Sequence, residues 1–500
     1  MIALARGAGR IARTRLAPAL MAVGTAIVLH FTFASGAATA DEVAAVRTPT
    51  PELPSPPFDY DPELPAHLTM NGLQAVGIDD GSALAADNTP ADNPTTDAGA
   101  TLGRVLFYET RLSANGSISC ASCHQQAAAF SDPAFRSEGL AGGRTSRHSM
   151  SLVNARFYEP GSFFWDTRAE SLEAQVLEPI RDPLEMDLSP QQMVETVETL
   201  PYYESLFVDA FGDAEVTADR ISKALAQFVR SMVALDAPYD RGRSQVDSPL
   251  DDFPDFSDQE NFGKWVFFTG NGRVVDGQVF ACASCHTTEA MIQSSEGVAN
   301  NGLDFGGGDF GAFMVTNDEE DLTRFKVPSL RNIALSAPYM HDARFGSLEA
   351  VVRHYSSGVQ PHPSLSPPLR TESGQVARFE FTQAEGDALV AFLRTLTDER
   401  LLGEAWSDPF TGPEIDFVPP QQRFLSLDEL DALGAGDATA EVGDAVDEAG
   451  AALTSDGAAA GADPSDDAPS PIPLIVVTLV VAGGAGWWYQ RSRRRRAGTT

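Results

Sequence analysis

Two copies of one five-residue pattern carry the chemistry open to this chain: Cys120-Ala-Ser-Cys123-His124 and Cys282-Ala-Ser-Cys285-His286. Cys-x-x-Cys-His is the attachment signature of a c-type haem. The thiols form thioethers to the haem vinyl groups, and the adjacent His turns back to become the proximal iron ligand. One turn of helix puts both sulfurs and the imidazole on the same side. The two copies use all four cysteines, leaving none for a disulfide or a separate zinc site. The alternatives are a pair of redox dithiols, or a zinc knot split across the two cysteine pairs. The His directly after the second Cys in both copies argues against them. The chain therefore reads as a carrier of two covalently bound haem c groups, with His124 and His286 on the irons.

The elements that must hold these motifs read as helices. Each motif is preceded by a helical segment in which a Gly leads apolar and aromatic residues, Gly103-Arg-Val-Leu-Phe107 and Gly263-Lys-Trp-Val-Phe-Phe268, a weak internal repeat. Each half ends in an amphipathic helix: Ile221, Ala224, Leu225, Phe228, Val229 and Met232 in the first, Ala388, Leu389, Phe392 and Leu393 in the second. Those spacings are mostly three, four and seven, so one face is apolar. Strand-like alternation is scarce. The expected fold is mainly α, with cytochrome domains at 99–245 and 246–425 whose haems supply much of the core. A Pro/Asp-rich extended arm (41–98) precedes them, and an Ala/Asp/Gly/Glu linker (426–470) without large apolar residues after Leu433 follows.

The ends of the chain speak of export. Arg6, Arg10, Arg13 and Arg15, an apolar stretch to about Phe33, and Ala38-Thr39-Ala40 read as a signal peptide over residues 1–40; the alternative is a retained anchor. Export agrees with c-type haem, which is attached outside the bacterial cytoplasm. Residues 471–490 are uncharged and nearly long enough to span a bilayer, with Trp487, Trp488 and Tyr489 at one end. Arg491 and Arg493 to Arg496 follow, so the 491–500 tail points into the cytoplasm and the rest points out. A sorting tail that is cleaved is the alternative. Nine of the 35 basic residues lie in these end segments, which hold no acid; residues 41–470 thus carry 26 basic against 70 acidic side chains. Such a field repels nucleic acid. It suits a basic redox partner, or simple solubility.

Over roughly residues 99–400 the chain resembles the bacterial di-haem cytochrome c peroxidase and MauG family. The resemblance rests on LGRVLFYETRLSANGSISCASCH, FFWDTRAESLEAQVLEPIRDPLEM and FKVPSLRNIALSAPYMHDARFGSLEAVVRHY. It implies two c-type cytochrome domains facing each other, with the N-terminal haem on His124 meeting hydrogen peroxide and the other relaying electrons. It implies that Gln175 and Glu185 line the open face of the first haem, Gln orienting peroxide and Glu moving its proton. It implies that Trp165 is an electron stepping stone between the haems. Ser336 and Pro338 match carbonyls that help hold a calcium ion. The usual Asn partner aligns with His148, and Asn154 is nearby.

Two departures bear on function. The family peroxidases carry a second His on the first haem, about sixteen residues after the motif. Here Glu138-Gly-Leu140-Ala-Gly-Gly143 has none, so that haem is expected to be open without reductive activation. Where they cap the second haem with Met, Tyr355 stands, as in MauG. Leu348, Val351, Val352 and Tyr355 share a helical face, with His354 roughly 100° away; Met340 and His354 are the alternative ligands. Three functions follow. The first is a peroxidase fed by a small cytochrome c or copper protein. The second is a MauG-like oxidase that stores two oxidising equivalents across both haems and modifies a secreted partner protein. The third is an electron-transfer or peroxide-sensing protein without turnover.

Overall fold

Two helix pairs built on one plan organise the molecule. In the first, helix Asp97–Tyr108 begins at Thr96, whose hydroxyl accepts from Gly99 N at 3.0 Å, and lies along helix Ala218–Arg230. In the second, helix Asp258–Thr269 lies along helix Gln383–Arg394. Capping boxes, Ser257 with Glu260 and Thr382 with Glu385, open both helices of that second pair. The crossings are equivalent to the atom. A Cβ on Gly103 would lie 2.0 Å from Ala224 O, and one on Gly263 1.9 Å from Ala388 O. The weak repeat in the sequence thus marks the glycine that lets backbone meet backbone, with Phe228 and Phe392 closing over it.

This computed structural model describes residues 46–77, 81–292, 297–304 and 308–417. The expected signal peptide (1–40), linker (426–470), membrane segment (471–490) and basic tail (491–500) lie outside the described residues. Among the described residues no helix is long and apolar enough to cross a membrane. The fold is mainly α as expected: helices and short 3₁₀ turns carry the cores, and the strands among the described residues make only two-stranded pairs.

Each helix pair nucleates a core, one including Leu106, Phe107, Phe130 and Phe228, the other Phe267, Tyr339, Leu389 and Phe392. The segment before residue 97 joins both. Tyr60 is buried in the first core and Leu73 in the second, while His67 Nε2 meets Asp240 at 2.8 Å. The chain then returns. Leu401 and Trp406 pack on the first core, Arg104 Nε donates to Ser407 O at 2.7 Å, and strand Phe410–Phe417 pairs antiparallel with Val46–Pro51. Three links tie the halves beside the sites: His148 N to His341 O (2.9 Å), Lys326 N to Trp165 O (2.8 Å), and Arg147 bridging Asp166 (2.6 Å) and Asp309 (2.6 and 2.7 Å).

Candidate functional site: two Cys-x-x-Cys-His centres

The first motif forms one helical turn, Cys120–Cys123, entered through a capping box of Ser119 and Ser122. His124 follows, and its Nδ1 lies 2.9 Å from Phe130 O. A carbonyl only accepts, so Nδ1 carries the proton and Nε2 keeps the lone pair a metal needs. Burial holds the imidazole below its ordinary pKa, in the neutral form. The second motif forms a 3₁₀ turn, Cys282–Ser284, followed by Cys285 and His286. His286 Nδ1 is buried without a hydrogen-bond partner among the described residues, and burial pushes the ring down to about 4.

The thiols decide between the readings of these motifs. A redox dithiol needs a lowered thiol pKa. Here burial pushes Cys120 and Cys282 up to about 12 and Cys123 up to about 11, and all four cysteines are unbridged. Among the described residues no three His, Cys, Asp or Glu converge to hold a metal, so a zinc knot has no geometry to support it. What the second motif does face is an apolar cavity with about 1560 Å³ of space free of atoms, open solvent included. Cys282, Cys285, His286, Phe280 and Leu389 line it. Paired sulfurs, a neutral imidazole and apolar walls fit a covalent haem.

Tyr355 lines the same cavity, as do Leu348, Val351 and Val352 from helix Leu348–Arg353. The helix loosens into a π-turn over His354–Gly358. That turn separates the neighbours: His354 Nε2 meets Asn301 O at 2.9 Å, while Tyr355 is near enough to Cys282 and Cys285 to feel their charge. Burial pushes the phenol up, and a hydrogen bond from Asn301 opposes this. Met340 also lines the cavity, with its Sδ taken by Asn301 Nδ2 at 3.4 Å.

Trp165 is on the cavity wall contributed by the first half. Its Nε1 donates to His148 O at 2.8 Å, and its ring meets His341 edge-on at 6.3 Å. Ser336 and Pro338 line the cavity too, as does His148, whose Nδ1 is buried without a partner among the described residues. Asn154 is engaged elsewhere: its Oδ1 accepts from Ala234 N at 2.9 Å, past the end of helix 218–230.

On the first half, Glu185 opens into a second pocket, about 610 Å³ of space free of atoms with open solvent included, together with Phe164, Arg168, Glu178 and Asp182. Burial pushes its carboxyl up to about 7; Asp182 and Glu178 add to this, and Arg168 opposes it. The charge of Glu185 is near enough to both Cys120 and Cys123 to raise their proton affinity. Gln175 is the half-buried last residue of helix Leu172–Gln175, fixed by the Ser171 cap (3.1 Å to Ala174 N), and does not line this pocket. Sequence reasoning did not single out Arg168 or Lys326. Arg168 stacks on Phe164 at 3.5 Å and reaches Asp166 (3.0 Å) and Glu178 (3.1 Å). Its place in the Phe-Trp-Asp motif was the available signal.

Comparisons with known proteins agree with one another. A family model described as di-haem cytochrome c peroxidase matches residues 97–247. The methylamine utilization protein MauG of Methylorubrum extorquens is 36% identical over 313 residues, 62% of this chain and 81% of that protein. Cytochrome c551 peroxidase of Nitrosomonas europaea is 31% identical over 304 residues, 60% of this chain and 80% of that protein. Among solved structures, a MauG-like protein associated with microbial copper homeostasis superposes with a TM-score of 0.56 at 29% identity, covering 70% of this chain and 99% of that one.

Proposed function

Because the chain belongs to the di-haem cytochrome c peroxidase and MauG family, and is therefore a di-haem oxidoreductase that takes hydrogen peroxide as its oxidant, we propose a division of labour between its motifs. The site on His124, in the 99–245 domain, receives peroxide, and the site on His286, in the 246–425 domain, passes electrons. Haem c supplies the iron that binds peroxide and the iron that exchanges single electrons. With the haem that Cys120, Cys123 and His124 would hold supplying the two electrons that O–O cleavage needs, Glu185 would carry the proton from one oxygen of peroxide to the other, which departs as water. Gln175, which lies outside the pocket of Glu185, has the family resemblance as its support for orienting the bound molecule. Trp165, an easily oxidised indole on the wall shared by the halves, would be the stepping stone, and Tyr355 would offer its phenolate oxygen to the second iron. A calcium ion at Ser336 and Pro338 has the family resemblance as its support. Export to the periplasm and anchoring through 471–490 rest on the sequence of the two ends.

The observation that carries this reading is the carboxyl of Glu185, beside the thiols of one haem motif and drawn up to about 7. A general base works best with a pKa near the working pH. Glu185→Gln in the holoprotein should keep both haems and lower peroxide turnover by about 10²–10⁴. Unchanged turnover would remove Glu185 from the mechanism.

A second reading has its own observation. Tyr355 in the cavity of the second motif, with no His in 138–143, suits a MauG-like oxidase that withdraws electrons from residues of a secreted protein. The donor in the first reading is a small cytochrome c or a copper protein. The structural relative associated with copper homeostasis is a reason to include the latter.

A further inference from the structure

Lys326 is one of three lysines in the chain and is 4% exposed. Its backbone is fixed on two sides, by the hydrogen bond to Trp165 O and by antiparallel pairing with Val298. Its ammonium lies 3.6 Å from the centroid of the Tyr158 ring and 5.9 Å from that of Phe163. Among the described residues it has no hydrogen bond and no acidic partner. Among the described residues other buried cations have partners. Arg230 meets Glu173 at 2.6 Å, Arg331 meets Asp240 at 2.8 Å, Arg243 meets Glu289 at 2.9 Å, and Lys264 donates to two carbonyls at 2.7 Å.

A buried ammonium without a counter-charge is costly, and a cation–π contact offsets only part of that cost. Burial alone pushes this amine down to about 7. The side chain lines the cavity of the second motif. Among the described residues the titratable side chains there are His148, His286, His341, Tyr339, Tyr355 and the two thiols; no Asp or Glu is among them, and Lys326 is the one Lys or Arg. The phenol of Tyr158 faces the amine from the first half and spends its proton on Gly297 O at 2.8 Å. Among the described residues the cavity thus presents one Lys or Arg cation and no carboxylate, and a haem brings carboxylates.

We propose that Lys326 is the counter-ion of a carboxylate of the haem held by Cys282, Cys285 and His286, and so sets the charge at the electron-passing site. The inference rests on the haem c reading of the second motif and is independent of the role given to Glu185. Lys326 is a positioning and charge-setting residue; it takes no part in proton transfer to peroxide.

The test is a potentiometric titration of the second haem in the holoprotein, wild type against Lys326→Met, from pH 6 to 9. A fixed positive charge favours the ferrous state, so the variant should lie lower. The expected gap is about tenfold in the ferric/ferrous ratio, about 59 mV for one electron, and it persists to pH 9 because the ion pair keeps the lysine protonated. A gap that closes above pH 8 would mean an amine titrating alone, and no gap would place it away from the haem; either result overturns the proposal. Should Lys326→Met fail to take up haem, the wild type answers by resonance Raman. Haem carboxylate bands constant from pH 6 to 9 support the pair, and bands that shift through pH 7 overturn it.

Discussion

In its proposed role as the base, Glu185 makes the peroxide reaction pH-dependent. Its ordinary carboxyl would be ionised throughout the physiological range, but burial first, then the charges of Asp182 and Glu178, hold it up to about 7. A group with a raised pKa gains its charge as pH rises through that value. As the base that accepts a proton from peroxide, Glu185 should therefore give a peroxide reaction that speeds up from pH 6 to pH 8 by up to about tenfold, with the step gone in Glu185→Gln. Stopped-flow rates across that range check it; a flat wild-type profile would contradict the assignment. At this scale the sequence was most legible where chemistry is local. Cys120, Cys123 and His124 lie within one turn, so spacing alone identifies them. Glu185, Gln175 and Trp165 needed the family resemblance, since nothing local separates a buried working carboxylate from a solvated one. Lys326 was invisible because its meaning comes from what surrounds it: rings from the other half, and no acid.

The helix crossings decide whether the two sites exist at all. Gly103 and Gly263 let each pair of helices touch through backbone, and a methyl at either position would sit about 2 Å from a carbonyl oxygen with no flexible neighbour to yield. Gly103→Ala and Gly263→Ala should each cost about 1–3 kcal/mol, seen as a lower Tm and lower haem retention. A variant as stable as wild type would show that the crossing relaxes freely. The amphipathic helices 218–230 and 383–394 were readable because their apolar residues recur every three or four positions. The pairing of Val46–Pro51 with Phe410–Phe417 was not, because register between segments so far apart in sequence is written in neither. The π-turn at His354–Gly358 was not readable either. It nonetheless achieves the separation expected from helical phase, with Tyr355 in the cavity and His354 on Asn301.

Across the whole molecule the halves meet where the chemistry needs them to. Trp165, His148 and Lys326 are fixed by backbone links across the junction, and Arg147 clamps Asp166 of one half to Asp309 of the other. The returning segment through Trp406 and Phe410 fastens the end of the second half onto the first core. Residues 41–470 carry 26 basic against 70 acidic side chains, a charge that would favour a basic partner arriving by electrostatic steering. Peroxide is proposed to meet an open first haem while Tyr355 holds the second. The most direct test is the optical and EPR spectrum of the oxidised holoprotein, followed by one equivalent of peroxide. The account predicts one high-spin and one low-spin ferric signal, no methionine charge-transfer band, and reaction without prior reduction. Two low-spin signals, a methionine band and no reaction until one haem is reduced would contradict it.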